Sequence, residues 1–88
     1  MSQKEGVENE RIVSKYYARE GYTVFNVNKN FPDLILIKDG RVVGFVEVKG
    51  GEHHVHPPQR RTLEELKKLG FQAIVVRVVK GKVIVEKL

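Results

Sequence analysis

The sequence predicts a single small α/β domain in which helices flank a mixed central β-sheet, with the element order αβββαββ. Two segments carry apolar residues at helical spacing, and five are rich in the β-branched and aromatic residues typical of strands. Short breaks containing glycine or asparagine separate neighbouring strands. The whole chain, residues 1–88, is expected to form one domain, because its length leaves no room for a second core.

The first helix is predicted over residues 7–20, with Gly21 as its natural end. The apolar residues that recur there at helical spacing are Ile12, Val13, Tyr16 and Tyr17. A capping box over residues 2–5 would start the helix earlier, although Gly6 in a helix interior costs about 1 kcal/mol. The start of this helix is therefore open.

Three strands follow, predicted at residues 22–27, 34–37 and 42–48. The segment Asn28-Lys29-Asn30 breaks the chain after the first of them. The second and third flank Asp39-Gly40, a dipeptide typical of two-residue β-hairpins. These two strands are therefore expected to pair antiparallel.

A second helix is predicted over residues 57–69, with proline in its first turn and Gly70 just past its end. Two closing strands, residues 73–79 and 82–86, flank Lys80-Gly81 as another hairpin. Because the second helix connects the third strand to the fourth as a crossover, those two strands are expected to run parallel.

The composition favours a polyanionic partner, since 16 Lys and Arg residues oppose 11 Asp and Glu, for a formal charge of +5. No cysteine is present, which excludes a disulfide framework and a thiolate zinc site. The apolar runs are far too short for a membrane span, and the N-terminus lacks the apolar core of a signal peptide. We expect a cytoplasmic protein of prokaryotic or viral type.

Charged residues at the end of the third strand are the first sign of chemistry. Strand alternation places Val43, Phe45, Glu47 and Lys49 on one face. Charges in such an apolar strand need partners, because burying them unpaired is expensive. An ordinary ion pair between Glu47 and Lys49 is one explanation.

Asp33 favours a second explanation. It begins the second strand, and pairing back from the hairpin turn brings it near Glu47, provided that the two side chains share a face. Two close carboxylates repel each other unless a cation lies between them, and oxygen ligands suit Mg²⁺. The ammonium of Lys49 would then orient a water or stabilise charge on a phosphate.

These residues carry a family resemblance. Pro32-Asp33, followed by Glu47-Val48-Lys49, resembles the Pro-Asp…(Asp/Glu)-x-Lys signature of the PD-(D/E)XK nuclease superfamily. A helix ending in Glu20-Gly21-Tyr22 precedes the signature, and a helix beginning Pro57-Pro58-Gln59-Arg60-Arg61 follows it. This layout, over residues 7–79, is similar to the VRR-NUC group and, more loosely, to archaeal Holliday junction resolvases. It implies a restriction-endonuclease-like fold and an endonuclease that needs Mg²⁺ or Mn²⁺ to hydrolyse DNA phosphodiester bonds.

The resemblance also implies roles for particular residues. The implied metal ligands are Glu10, Asp33, Glu47 and the backbone carbonyl of Val48, and the implied catalytic residues are Asp33, Glu47, Lys49 and Gln59. Glu10 is preferred as the ligand from the first helix because it borders the apolar stripe, whereas Glu8 falls on the far side. Glu5 stays possible, and Glu10 as a solvated helix charge is the alternative. Gln59 should face the sheet, the alternative being a partly exposed polar residue.

Three basic residues are expected to contact DNA: Lys29, Arg60 and Arg61. Phosphate binding near the start of the second helix and a merely solubilising surface are both open for the two arginines. The loop carrying His53, His54 and His56 allows three interpretations: a zinc site, a contact to DNA or the active site, and a plain polar loop.

The expected substrate is branched DNA such as a four-way (Holliday) junction, because no base-reading helix stands out. A homodimer is expected, since a domain this short buries little surface on its own. Two other classes of function remain open. One is a catalytically silent DNA-binding module with the nuclease fold, and the other is a structural subunit of an assembly.

Overall fold

A computed structural model describes residues 3–28 and 30–88, with side chains for residues 6–28, 30–86 and 88. The order αβββαββ and the α/β class are confirmed. The elements are α1 Gln3–Arg19, β1 Thr23–Asn26, β2 Leu34–Lys38, β3 Arg41–Gly50, α2 Pro57–Lys68, β4 Gln72–Val79 and β5 Lys82–Lys87. Of the described helices, neither is long and apolar enough to cross a membrane.

One mixed sheet forms the centre of the molecule, with its strands in sequence order from β1 to β5. The pairs β1–β2, β2–β3 and β4–β5 are antiparallel, and β3 runs parallel to β4. The parallel pair follows from the crossover through α2, as predicted. Strand β3 is the central strand of the five.

Each helix covers one face of the sheet. The core beneath α1 consists of Val13, Tyr17, Leu34, Leu36, Val46, Val76 and Val78. The core beneath α2 consists of Leu63, Ala73 and Val75. Because successive strand residues point to opposite faces, the alternation from Val75 to Val76 along β4 separates these two cores. The result is a three-layer sandwich.

A bulge in β3 corrects one sequence prediction. Leu36 pairs with Gly44 and Ile37 with Val42, so Val43 is an extra residue between them. The extra residue reverses the alternation, and Val43 packs with the α1 core instead of sharing a face with Glu47. The predicted face shared by Phe45, Glu47 and Lys49 holds beyond the bulge, where Lys49 contacts Glu47. Phe45 stacks edge-to-face on Phe71 with ring centroids 5.3 Å apart.

Two tight turns close the hairpins. Asp39 and Gly40 have φ of 54° and 76°, and Lys80 and Gly81 have 50° and 77°, the paired positive values of a type I′ turn. Gly44 has a different requirement, because a Cβ there would lie 2.9 Å from the Cβ of its neighbour on β4. Glycine at this position therefore permits the close approach of β3 to β4.

Helix α1 begins at Gln3, four residues before the predicted start. Gly6 lies inside the helix, so the folded protein tolerates the low helix propensity of glycine at this position. The expected capping residue Ser2 and the predicted DNA contact Lys29 lie outside the described residues.

Candidate active site

The β2–β3 hairpin brings Asp33 beside the end of β3. Leu34 pairs with Val46, so Asp33 lies one step further, opposite Glu47. The backbone N–H of Val48 donates a 2.9 Å hydrogen bond to Oδ2 of Asp33. The backbone N–H of Asp33 in turn donates a 3.3 Å bond to Oε1 of Glu47. These two bonds fix the carboxylates next to each other.

Glu47 is a buried charged residue, with 4% of its surface exposed. Desolvation by burial is the largest cause that raises its pKa, to about 7, followed by the negative charge of Asp33 and a hydrogen bond to it. Lys49 opposes the shift. A carboxyl group with a pKa near 7 beside a second carboxylate is typical of a functional site. Such a pair would be stabilised by additional positive charge.

Lys49 supplies part of that charge. Its Nζ lies 3.3 Å from Oε2 of Glu47, and its side chain is 17% exposed. Lys49 also lines a cleft of about 490 Å³ between the end of β3 and the loop that leads to α2. Lys49 thus contacts the buried carboxylate of Glu47 and also borders an open cleft.

Glu10 approaches the pair from α1. Nδ2 of Asn26 donates a 3.0 Å hydrogen bond to Oε1 of Glu10, and Oδ1 of Asn26 accepts a 2.8 Å bond from the N–H of Asn28. Desolvation raises the pKa of Glu10, the Asn26 bond lowers it, and the charge of Asp33 raises it further. Asp33 therefore interacts electrostatically with the carboxyl groups of both Glu10 and Glu47.

Among the side chains described, those of residues 6–28, 30–86 and 88, no three from His, Asp or Glu are gathered closely enough to hold a metal ion, and the side chain of Glu5 lies outside this set. Glu10 is engaged by Asn26 and Glu47 by Lys49. The donor chemistry nevertheless fits a hard cation, because Mg²⁺ typically binds one or two carboxylates and completes its shell with water and phosphate. The carbonyl of Val48 adds an oxygen, since it points to the same side of β3 as the N–H that binds Asp33.

The side chain of Gln59 makes a hydrogen bond within the first turn of α2. Its Oε1 accepts a 3.4 Å hydrogen bond from the backbone N–H of His56, the N-cap residue. Gln59 is half-buried, while Arg60 and Arg61 beside it are exposed. The contact made by Gln59 therefore stabilises the start of α2, and the two arginines are accessible to a ligand.

Arg77 holds the histidine-bearing loop. Its guanidinium donates to both carboxylate oxygens of Glu86, at 2.9 and 3.3 Å. It also donates to the carbonyls of Gly51 and His53, at 2.8 and 2.6 Å. Arg77 thereby joins the loop to β4 and β5.

Sequence reasoning missed Asn26 and Arg77. Arg77 could have been found by the argument applied to Glu47, because a charge inside an apolar strand needs a partner. Asn26 lies within a predicted strand, and nothing in the sequence links it to a residue sixteen positions earlier.

The chain is similar to one protein family and to a relative outside it in name. The family model described as the VRR-NUC domain matches residues 4–80, a span that contains Glu10, Asp33, Glu47, Lys49 and Gln59. A UPF0102 protein of Kosmotoga olearia is 37% identical over 76 residues, which cover 83% of this chain and 66% of the relative. The chain thus spans just under two thirds of the length of that relative.

Proposed function

The chain belongs to the VRR-NUC domain family, a group of PD-(D/E)XK-like nucleases, and from this premise we propose that it is a metal-dependent endonuclease that cuts branched DNA. The observation that carries the proposal is the contact of Asp33, Glu47 and Lys49 at the end of one hairpin. Two adjacent carboxylates and an ammonium group beside an open cleft suit hydrolysis of a phosphodiester bond.

Asp33 and Glu47 would hold Mg²⁺ or Mn²⁺, together with the Val48 carbonyl and Glu10. When bound, the cation would supply an acidified water and neutralise charge on the departing oxygen. The Val48 N–H keeps the Asp33 carboxylate turned toward Glu47. Burial of Glu47 limits competing water, which strengthens electrostatic interactions at this point.

Lys49 would orient the attacking water and donate a hydrogen bond to the phosphate. Its Nζ is already restrained by Glu47, so it needs little reorganisation when a substrate enters the cleft. Gln59 would act as a catalytic residue from the first turn of α2, where its Oε1 accepts a hydrogen bond from the His56 N–H. Arg60 and Arg61 would bind DNA phosphates.

Branched DNA is the preferred substrate for two reasons. The layout resembles archaeal Holliday junction resolvases, and the exposed cationic residues near the site suit phosphate contacts, which carry no sequence information. Shape would then decide which DNA is cut. A four-way junction is the form that we favour.

A symmetric homodimer would place two such sites on one junction. Strand β5 is an edge of the sheet, and Ile84 and Val85 on it are 45% and 40% exposed. An edge strand with exposed apolar side chains offers both backbone groups and apolar surface to a second copy. Two-fold pairing is the commonest closed arrangement.

A cleavage assay tests the proposal. Labelled linear, flap, nicked and four-way DNA is incubated with the protein in Mg²⁺, Mn²⁺ or chelator, and the products are separated on a denaturing gel. We expect metal-dependent cutting that is strongest on the four-way junction. Equal cutting of plain duplex would refute the preference for branches.

The same assay, combined with binding, separates the two rival functions. Salt-sensitive DNA binding without cutting in either metal would favour a silent binding module. Neither binding nor cutting would favour a structural subunit. The intact set of Asp33, Glu47 and Lys49 supports the enzyme, because a silent module has no need of a buried, destabilising carboxylate such as Glu47.

A further inference from the structure

Residues 51–56, here called the histidine loop, connect β3 to α2 and form a wall of the cleft beside Lys49. His53, His54 and His56 all line this cleft, and so does Lys49. Lys49 also contacts Glu47, so the cleft adjoins the candidate active site through this residue. A strand of DNA whose phosphate lies at Lys49 would therefore continue along the histidine loop.

The loop is held at several backbone positions. Arg77 binds the carbonyls of Gly51 and His53, and the N–H of Gly51 donates a 3.1 Å bond to the carbonyl of Val78. The side chain of Arg77 is 17% exposed, and Glu86 accepts its remaining bonds. Two of the four hydrogen bonds of Arg77 thus hold the backbone of the loop from which the imidazoles project.

The chemistry of this wall fits an anion with many acceptor oxygens. Each imidazole offers at least one N–H donor, and Lys49 offers a positive charge. Among the described lining residues the single carboxylate is Glu52, which is exposed. A metal fits less well, because in the described chain these histidines do not gather with one another or with a carboxylate into a metal-holding group.

We propose that the histidine loop binds the phosphate backbone of the DNA strand next to the phosphate being cut, and that Arg77 is the positioning residue for this loop. This inference rests on the proposed nuclease function. Imidazole N–H groups donate hydrogen bonds to the phosphate oxygens, and the contact carries no sequence preference. The loop extends the DNA-binding surface beyond the proposed catalytic residues.

Binding without chemistry tests the contact. Affinity for a labelled four-way junction is measured by fluorescence anisotropy in chelator at pH 7, so that no DNA is cut. His53→Ala combined with His54→Ala is expected to weaken binding about five- to fiftyfold, the effect of two lost hydrogen bonds. His56 is left in place because it caps α2.

The matched control is Lys67→Ala combined with Lys68→Ala, at the far end of α2. It removes two lysine charges far from the cleft, whereas the histidine variant removes the proposed hydrogen-bond donors of the loop. If long-range attraction alone governed binding, the control would lose more affinity. We expect it to lose less than about threefold, with both variants unfolding at the temperature of the wild type.

The outcomes are distinct. Wild-type binding that the histidine substitutions leave unchanged would overturn the loop contact, and so would an equal or larger loss in the lysine control. Absence of DNA binding by the wild type would refute the proposed function and this inference with it.

A double-mutant cycle tests the positioning role. Arg77→Lys keeps the charge but cannot make four directed bonds, so it should speed amide hydrogen exchange in the loop and weaken DNA binding. In the background of the two histidine substitutions, the same change should weaken binding less than twofold further. Fully additive losses would overturn the positioning role of Arg77.

Discussion

The N–H of Val48 donates a 2.9 Å hydrogen bond to the side chain of Asp33, fifteen residues earlier in the chain. The bond continues the pairing of β2 with β3 by one step, with a carboxylate in place of a backbone carbonyl. A side chain that is also part of the strand pairing has little freedom to turn away, which suits the proposed role of Asp33 as a metal ligand. The hairpin and the candidate active site are consequently one structural unit.

We first predict that Asp33→Ala, Glu47→Ala and Lys49→Ala each abolish DNA cutting. Each removes a proposed metal ligand or the cation that orients the water, so a loss of about a hundredfold or more is expected. The measurement is the initial rate of junction cleavage in Mg²⁺. Full cleavage by Glu47→Ala would refute the assignment.

Loss of folding must be separated from loss of chemistry. Glu52→Ala is the matched control, because Glu52 is an exposed carboxylate that lines the same cleft. It should retain cleavage within a few fold. Circular dichroism should show the same helix and strand content for all four variants.

The second prediction concerns pH. The pKa of Glu47 is raised from its ordinary 4.5 to about 7, so the folded state favours the protonated carboxyl group. In the metal-free protein, Glu47 should contribute stability that is fully present below about pH 4.5 and is lost as pH rises through 7, about 3 kcal/mol in all. Urea unfolding between pH 4 and 8 measures the change.

Glu47→Gln should flatten this profile, since the amide carries no charge at any pH in that range. The variant should also be more stable than the wild type at pH 8 without metal. A wild-type stability that rises across the same window would contradict the account of Glu47.

A third prediction follows from the Asn26–Glu10 hydrogen bond. This bond lowers the pKa of Glu10 against the effect of burial, so Asn26→Ala should raise that pKa further. NMR titration of the Glu10 carboxyl carbon in metal-free protein provides the measurement. Asn30→Ala is the control, because the side chain of Asn30 binds backbone carbonyls instead of Glu10.

Fourth, Arg60→Ala combined with Arg61→Ala should weaken binding to all DNA sequences alike. Both residues are exposed, and contacts to phosphate release counterions, so the plot of log affinity against log salt should become flatter by about one to two units. Binding to two junctions of unrelated sequence is measured over a range of salt. An unchanged slope would show that these arginines do not touch the DNA backbone.

The fifth prediction is the homodimer. Sedimentation at micromolar concentration should give about twice the chain mass of 10.1 kDa. Ile84→Lys should shift the protein to the monomer, because it places a charge at the exposed β5 edge. Phe25→Lys, at the opposite edge strand, is the control and should leave the mass unchanged. A wild-type mass near that of one chain would refute the dimer.

The fold was predictable from the sequence because its signals are local. Asp39-Gly40 and Lys80-Gly81 adopt the positive φ angles that hairpin turns need, and the strand patterns between them were correct to within a few residues. The bulge at Val43 was not predictable, since a single extra residue leaves no mark in an apolar strand. The start of α1 at Gln3 was not predicted because Gly6 has a low helix propensity. In the folded protein the helix continues through Gly6 nevertheless.

The candidate site was predictable where it depends on pairing. The hairpin turn fixes the register, and the register sets Asp33 opposite Glu47. The hydrogen bonds of Asn26 and Gln59 depend on side-chain directions that spacing alone does not give. The roles of all these residues in catalysis stay predictions for the experiments above.

The Asp39-Gly40 turn and the carboxylates lie at opposite ends of the same hairpin. Strand β2 has five residues, so about 16 Å of chain separates them. Extra residues inserted at this turn would extend away from Asp33, and the buried side chains of Leu34, Leu36 and Val46 would hold the strand register in place of the turn. The turn is therefore a suitable point for grafting a fluorophore, an affinity peptide or an accessory domain onto the protein while its candidate active site is preserved.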